Sequence, residues 1–273
     1  LGYFVLTTAT GTLSGTYTVG SGGQFPSITN AGGLFDVINA TTVAGNITAN
    51  VISDIAIETG SVALNQWTES GLGNYTLTIQ SSAATQRVIS NTGSTPDGMI
   101  RLNGADRVTF NGGTGSNRYL LFRNTSGNST LKLLNDATNN TVHHCTIEGG
   151  IVVPGAYGTA SSTGNIYIGT GTATGNDNNT FSYCDIRDIS GQPFYYTPNN
   201  AIYAYGTAAY PNDNITIDNC NIFNFENAPT AYGINVANVG NGSNWTITNN
   251  HFYNTLPQNA MLGTQTAIYF APG

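Results

Sequence analysis

One line of sequence recurs four times in this chain, and it constrains the fold more than any other feature. Each copy carries an Asn-bearing turn, a short alternating segment, a Cys or Asn, and an apolar residue two positions further on. The copies begin at Asn139, Asn178, Asp213 and Ser243. Their shared Cys or Asn position recurs after 39, 36 and 30 residues, which is the spacing of a solenoid repeat.

A second apolar line runs through the same region with the same ragged period. Its copies begin at Ile100, Leu131, Ile166, Ile202, Ile234 and Ile268. Both lines alternate apolar and polar residues with period two, which favours β-strands over helices. Because loops tolerate insertions and stacked strands do not, the two lines predict an all-β coil with constant strands and variable loops.

The composition is compatible with one elongated domain. Only 8% of the residues are charged, but 39% are hydrophobic and patterned, which argues against disorder. Residues 1–60 are predicted to form an N-terminal cap and the first coils. Residues 61–273 are predicted to form further coils of the same continuous domain. The C-terminal end of this solenoid is expected to be open or truncated, since proteins normally cap bare strand edges.

The charge balance excludes two classes of partner. The net charge is −7, and the seven Lys and Arg residues never cluster. Nucleic-acid binding requires a basic stripe, so no nucleic-acid partner is predicted. No apolar run approaches the roughly 20 residues that a membrane-spanning helix needs, so no membrane insertion is predicted either.

The N-terminal region differs from the repeats and contains a short helical pattern. Ser27 is in position to serve as the N-cap, and the apolar residues after it lie at helical spacing: Ile28, Ala31, Leu34, Phe35 and Ile38. Gly32 and Gly33 interrupt this pattern and weaken the predicted helix.

This region also carries a resemblance to a known family. The run Gly-Gly-Gln-Phe-Pro-Ser-Ile-Thr-Asn-Ala at residues 22–31 resembles the opening of pectin-lyase-like proteins, in which a short helix caps the first coil. The sequence at residues 16–20, 64–69 and 100–109 resembles that of large secreted surface proteins of Bacteroidota-type bacteria. The resemblance implies a single-stranded right-handed parallel β-helix with an N-terminal capping helix. It further implies an extracellular, adhesin-like module exported by the type IX route, with further modules of the same chain or other copies as partners.

Catalytic residues are sparse. Polygalacturonases resemble one another in Asn-x-Asp, Asp-Asp, Gly-His-Gly and Arg-Ile-Lys elements, and this sequence has none of them. The nearest candidates for a polysaccharide lyase or hydrolase are Asp185, Arg187 and Asp188. On a strand Asp185 and Arg187 face the same side, so Arg187 could order the carboxylate. The alternative is a surface ion pair of little consequence.

The repeat predicts two columns of stacked residues, and the first is a column of asparagines. Stacking Asn139, Asn178, Asn214 and Asn244 would build a ladder of side-chain amides at the strand spacing of about 4.8 Å. The Asn and Asp residues around Asp177 and Asp213 could instead bind Ca²⁺, although Asx turns explain them as well. No other cofactor is predicted.

The three cysteines occupy one repeat position. Cys145, Cys184 and Cys220 are therefore predicted to form an internal column of free, buried thiols. His143 and His144 lie beside Cys145, but no close Cys pair accompanies them, so no metal site is predicted.

Aromatic residues suggest a binding surface. Tyr195 and Tyr196 lie in an aromatic loop, and Tyr205 and Tyr210 follow within one coil. Tyrosine suits both sugar stacking and protein contacts. The alternative is that the loop packs back onto the solenoid.

Three functional hypotheses follow. The first is a non-enzymatic structural or adhesive surface module that assembles end to end. The second is a carbohydrate-binding module that uses the tyrosines. The third is a polysaccharide lyase or hydrolase that uses Asp185, Arg187 and Asp188.

Overall fold

The chain folds into a parallel β-solenoid of about seven turns with one short helix. The computed structural model describes residues 11–91, 93–95, 97–150, 162–191, 197–226, 230–238, 240–255 and 263–271. Within them, neighbouring strands pair in parallel and are related by one turn of the coil. The prediction of an all-β parallel solenoid is therefore confirmed.

Three sheets, which we call A, B and C, run along the solenoid, and strands are numbered along the chain. Sheet A contains β1 (Thr12–Val19), β2 (Thr42–Val51), β5 (Thr68–Glu69), β6 (Leu77–Ser81), β9 (Val108–Asn111), β12 (Thr141–His143), β15 (Thr180–Ser182), β18 (Thr216–Asp218) and β21 (Thr246–Thr248). Sheet B contains β3 (Ile55–Glu58), β7 (Arg87–Asn91), β10 (Leu120–Arg123), β13 (Cys145–Glu148), β16 (Asp185–Arg187), β19 (Asn221–Phe223) and β22 (His251–Tyr253). Sheet C contains β4 (Leu64–Asn65), β8 (Ile100–Asn103), β11 (Leu131–Leu134), β14 (Ile166–Ile168), β17 (Asn200–Ala204), β20 (Thr230–Val236) and β23 (Thr264–Phe270).

The core consists of columns, a word we use for residues at one register position on successive coils. Sheet B contributes a column that passes through Ile89, Phe122, Ile147, Ile186, Ile222 and Phe252. Sheets A and C contribute similar apolar columns, and together they form one continuous core. Since side chains alternate across a strand, the residues between these positions face outward.

Sharp corners separate sheet A from sheet B. Each corner in the later coils is made by one residue in the left-handed region, and these residues are His144, Tyr183, Asn219 and Asn249. Their φ angles lie between 52° and 55°. A non-glycine residue pays a steric penalty in this region, and Asn carries the smallest one, which accounts for the two asparagines. We call this position the A–B corner.

The N-terminal helix α1 (Leu34–Ala40) packs Leu34, Phe35 and Ile38 into the core. The prediction that Ser27 is its N-cap is wrong, because the helix begins after Gly33. Gly32 has a φ of 72°, which ends any helical path from Ser27.

The segment before α1 is held by a buried carboxylate instead. Glu58 on β3 accepts hydrogen bonds from the main-chain N–H groups of Ile28 and Thr29, both at 2.7 Å. It also accepts one from the Thr29 hydroxyl at 2.5 Å. Burial raises the pKa of Glu58, and these donors oppose that effect. The cap is thereby tied to the first coil.

Candidate functional site

The cysteine position forms a column on the core side of the A–B corner. Cys145, Cys184 and Cys220 are all free and buried. Their Sγ atoms contact backbone carbonyl groups of the core, as in the 3.3 Å contact between Cys145 and the carbonyl oxygen of His143. Burial raises the pKa of the Cys145 and Cys184 thiols, so these groups remain protonated and poorly nucleophilic. Asn250 occupies the same position on the next coil and donates to the Ile217 carbonyl at 2.8 Å.

The four repeat asparagines stack, but their side chains face solvent. Asn139, Asn178, Asn214 and Asn244 all adopt left-handed backbone conformations with φ of 55° to 58°. Their main chains connect the coils, as in the 3.0 Å bond from the Asn178 N–H to the Asp213 carbonyl. Within the described residues, the side-chain amides of these four do not hydrogen-bond to one another, because the left-handed turn directs them outward.

A buried amide ladder exists two or three residues earlier, and the sequence analysis missed it. Asn176, Asn212 and Asn241 are buried on successive coils. The Asn212 Oδ1 accepts from the main-chain N–H of Asn176 at 2.9 Å, and the Asn212 Nδ2 donates to the Asn241 Oδ1 at 2.9 Å. Nδ2 also donates to the Gly169 carbonyl at 3.1 Å. The signal was available as a second Asn placed two or three residues before the repeat asparagine on each of these coils.

The acidic residues that adjoin this buried amide ladder accept hydrogen bonds from the next coil. The Asp177 Oδ1 accepts from the Asp213 N–H at 2.7 Å, and the Asp213 Oδ1 accepts from the Ser243 N–H at 2.5 Å. Burial raises the pKa of Asp177, with the neighbouring carboxylates adding to the effect. In the part of the chain that the structure describes, no group of three or more His, Cys, Asp or Glu side chains could hold a metal ion. These two carboxylates thus connect successive coils, whereas an Asx turn would bond to the backbone two residues further along the same coil.

The three candidate catalytic residues each contact different partners. Asp185 accepts from the Asn221 Nδ2 at 2.8 Å and lies 3.7 Å from the Arg118 guanidinium. Arg187 pairs with Glu148 at 2.5 Å instead of with Asp185. The expected Asp185–Arg187 pair is replaced because residues two apart on a strand lie further apart than residues on adjacent coils.

The Asp188 side chain has a different partner from those of Asp185 and Arg187. It is 3% exposed, and its Oδ1 accepts from the Asn224 Nδ2 at 2.9 Å. Burial raises the pKa of Asp188, while Asn224 and the charge of Arg187 act in the opposite direction. The carboxyl therefore holds the next coil in place at the end of sheet B.

Glu148 is the residue that sequence reasoning missed at this surface. Its side chain is 0% exposed, and its two oxygens pair with Arg123 and Arg187, each at 2.5 Å. The column continues as Arg187 lies over the Phe223 ring and Phe223 stacks on Tyr253, with ring centroids 4.7 Å apart. Arg123, Glu148, Arg187, Phe223 and Tyr253 thus form one outward column of sheet B, which we call the ionic column.

A second group of polar residues gathers at the A–B corner. His144 stacks on Tyr183 with ring centroids 4.7 Å apart, and the charge of Arg118 is close enough to affect its pKa. His143 and His144 approach each other with a distance of 3.1 Å between their Nδ1 atoms. Arg118 belongs to the loop before β10 and links this group to Asp185. The arrangement was not visible in the sequence, because the loop before β10 varies between coils.

The candidate tyrosines are partly exposed where the structure describes them, and one of them belongs to a stack of three rings. Tyr195 and Tyr196 lie outside the described residues. Tyr205 and Tyr210 are 40% and 36% exposed. Tyr167, Tyr203 and Tyr205 stack with nearly parallel rings, at centroid distances of 5.7 Å and 6.4 Å. Because each ring covers its neighbour's face, Tyr203 is left only 8% exposed.

The last described coil leaves apolar side chains uncovered. Ile268 and Phe270 continue the core columns of Ile234 and Val236 on β23. They are 39% and 47% exposed, whereas Ile234 and Val236 are buried. β21, β22 and β23 are the edge strands of the three sheets at this end. We call this surface of the last described coil the open end.

Together the fold and these contacts define the class of the protein, an all-β parallel β-solenoid of about seven turns. Comparisons with models of protein families, with curated proteins and with solved structures find no match to this chain. Among the described residues, no helix combines the length and the apolar character that crossing a lipid bilayer requires.

Proposed function

We propose that this protein is a non-enzymatic structural and adhesive module of an extracellular surface protein. In this proposal it is a pectin-lyase-like β-helix of the kind found in secreted Bacteroidota-type surface proteins exported by the type IX route. Its open end joins the coils of another copy or of a further module of the same chain.

The engagement of outward side chains between successive coils carries this proposal, and the open end is the surface at which further coils would join in it. Ile268 and Phe270 are core-type residues by register, yet water reaches them. Covering them with one more coil would remove apolar surface from water, which is favourable by about 25 cal/mol per Å². Pairing of β21, β22 and β23 would add main-chain hydrogen bonds, as in β-strand addition.

The engagement of the candidate catalytic residues supports a structural role over an enzymatic one. Glu148 and Arg187 neutralise each other, Asp188 is buried against Asn224, and Asp185 contacts Asn221. A lyase needs a carboxylate or base that reaches a substrate proton. The lyase or hydrolase alternative predicts polysaccharide cleavage that disappears in Asp185→Asn.

A carbohydrate-binding module remains the second candidate, and the exposure of Tyr205 and Tyr210 favours it. Their rings offer an apolar face with a polar hydroxyl, which suits sugar stacking. Retention on immobilised glycans should fall in Tyr205→Ala with Tyr210→Ala, and in Tyr195→Ala with Tyr196→Ala. Unchanged retention in both double variants would contradict this function.

Electron microscopy and light scattering of the purified chain test end-to-end assembly. We expect linear particles whose length grows with concentration, and single short rods in Ile268→Asp with Phe270→Lys. Leu72→Lys is the matched control, because Leu72 is a 97% exposed apolar residue on a loop away from the open end. Single short rods from the unmodified chain at every concentration would contradict self-assembly and favour a further module of the same chain as the partner. Equally long particles in all three proteins would exclude the open end as the joint.

A further inference from the structure

Two neighbouring histidines converge on the outer surface of the A–B corner. β12 ends at His143, and β13 begins at Cys145. Consecutive residues of a strand point to opposite faces, but the left-handed φ of 53° at His144 breaks this alternation. The two half-buried rings meet edge to face, with centroids 5.3 Å apart and the Nδ1 atoms 3.1 Å apart. The corner therefore brings together two nitrogen atoms that an ordinary strand would separate.

We propose that His143 and His144 form a two-nitrogen chelating site for a divalent transition-metal ion, with Cu²⁺ bound most tightly. Metal–imidazole bonds are about 2.0–2.1 Å long, so two nitrogens 3.1 Å apart subtend about 100° at the metal. That angle is close to the 90° between neighbouring ligands in tetragonal Cu²⁺ and Ni²⁺ sites. Cu²⁺ also leads the affinity order of divalent first-row metals at nitrogen sites.

The rings are held in place before any metal arrives. His144 stacks on Tyr183 with an angle of 13° between the ring planes, and it forms a hydrogen bond with the backbone of Gly115. Metal-ligating histidines characteristically hold such a second contact, which fixes the orientation of the ring.

The remaining coordination positions belong to water. Cys145 is not a ligand, since its Sγ contacts the carbonyl oxygens of His143 and Phe110 on the core side. The nearby charge of Arg118 is balanced by Asp185 at 3.7 Å. In the metal-free protein the two Nδ1 atoms share one N–H···N hydrogen bond. When the metal binds, that proton moves through solvent to the Nε2 of the same ring, so both Nδ1 atoms bind the metal as neutral imidazoles.

The stacked coils supply variants that preserve the corner. His144→Asn installs the residue that Asn219 and Asn249 provide at the same position of later coils. His143→Ser installs the equivalent of Ser182, which pairs with His143 in sheet A. His251→Asn is the matched control, because His251 is the remaining histidine and is exposed on β22.

Titration of the purified protein with Cu²⁺ tests the site, with calorimetry for affinity and electron paramagnetic resonance for the ligands. We expect one tight site with nitrogen couplings from two imidazoles, and an affinity about 100-fold weaker in His143→Ser and in His144→Asn, because the chelate is lost. His251→Asn should bind as tightly as the unmodified chain.

Melting with and without Cu²⁺ provides a second measurement for any variant whose corner is weakened. Cu²⁺ should raise the melting temperature of the unmodified chain and of His251→Asn, but not that of His143→Ser with His144→Asn. Tight binding that persists in this double variant would overturn the proposal. A loss in His251→Asn equal to that in His144→Asn would overturn it as well.

Discussion

The carboxylate of Asp136 on one coil lies in a cradle of donors that begins at Thr172 on the next coil. The Thr172 hydroxyl donates to the Asp136 Oδ2 at 2.5 Å, and the Thr172 main-chain N–H donates to Oδ1 at 3.0 Å. Further N–H groups of residues 173–175 point at the same carboxylate. Gly175 closes the cradle at a φ of 121°, where a Cβ atom would lie 1.7 Å from the Pro211 carbonyl oxygen. A side-chain anion thus fills a main-chain nest.

This cradle predicts how stability depends on pH. Partial burial acts to raise the pKa of Asp136, but the hydrogen bonds from Thr172 and from the backbone at Thr174 and Gly175 outweigh it and hold the pKa well below its usual range. Because the folded protein then binds fewer protons than the unfolded chain, the contribution is present above pH 3.8 and is lost as the pH falls below it.

Asp136→Asn should lower the free energy of unfolding at pH 7 by about 2–3 kcal/mol, since charge-assisted bonds are lost. Asn tolerates the left-handed φ of 72° at this position, so the backbone is preserved. Denaturant titrations between pH 2 and pH 7 measure the effect. The difference between the two proteins should shrink toward low pH, and a constant difference would contradict the assignment.

We expect the free energy of unfolding to depend strongly on the buried amide ladder and only slightly on the exposed asparagine column. Asn212→Ala should cost about 3 kcal/mol of unfolding free energy, because it leaves the main-chain N–H of Asn176 without its acceptor and removes one of the two donors to the Asn241 Oδ1. Asn214→Gly, two residues away, should change it by no more than a few tenths of a kcal/mol. Denaturant titration of both variants measures the contrast. Similar losses in the two would show that the exposed column also carries stability.

We expect the buried Glu148 of the ionic column to contribute strongly to the free energy of unfolding. Glu148→Ala removes the partner of both Arg123 and Arg187 and should destabilise the fold by about 3–5 kcal/mol. Asp97→Ala is the control, because Asp97 is 74% exposed in its 3.8 Å pair with Arg101. The control should lie within about 0.5 kcal/mol of the unmodified chain in the same unfolding assay. A loss of similar size in both variants would contradict the column.

The cysteine column predicts thiols that are hidden until the protein unfolds. A thiol reagent such as dithiobisnitrobenzoate should react slowly with the folded chain, and with all three cysteines in denaturant. All three thiols are buried in the folded chain, and burial raises the pKa of Cys145 and Cys184. Leu72→Cys adds one thiol at a fully open position and should show one rapid equivalent. Rapid reaction of the unmodified chain would show that the corner opens readily.

The alternation of apolar residues was enough to predict strands, their columns and the solenoid. Cys145, Cys184 and Cys220 share a column because the repeat itself sets their register. The start of α1 was less predictable, since it depends on the turn at Gly32 and on the hydrogen bonds that the N–H groups of Ile28 and Thr29 donate to the distant Glu58. Element boundaries depend on such long-range contacts.

The sequence by itself determined the periodic part of this protein, because the apolar alternation and the Asn turns repeat with every coil. The tertiary structure alone decided which outward residues meet. Glu148 lies between Arg123 and Arg187 because parallel pairing places them one strand spacing apart, although they are far apart along the chain. His143 meets His144 because a single left-handed residue turns the corner. Both relationships depend on strand register and backbone dihedrals, which coils of unequal length conceal in the sequence.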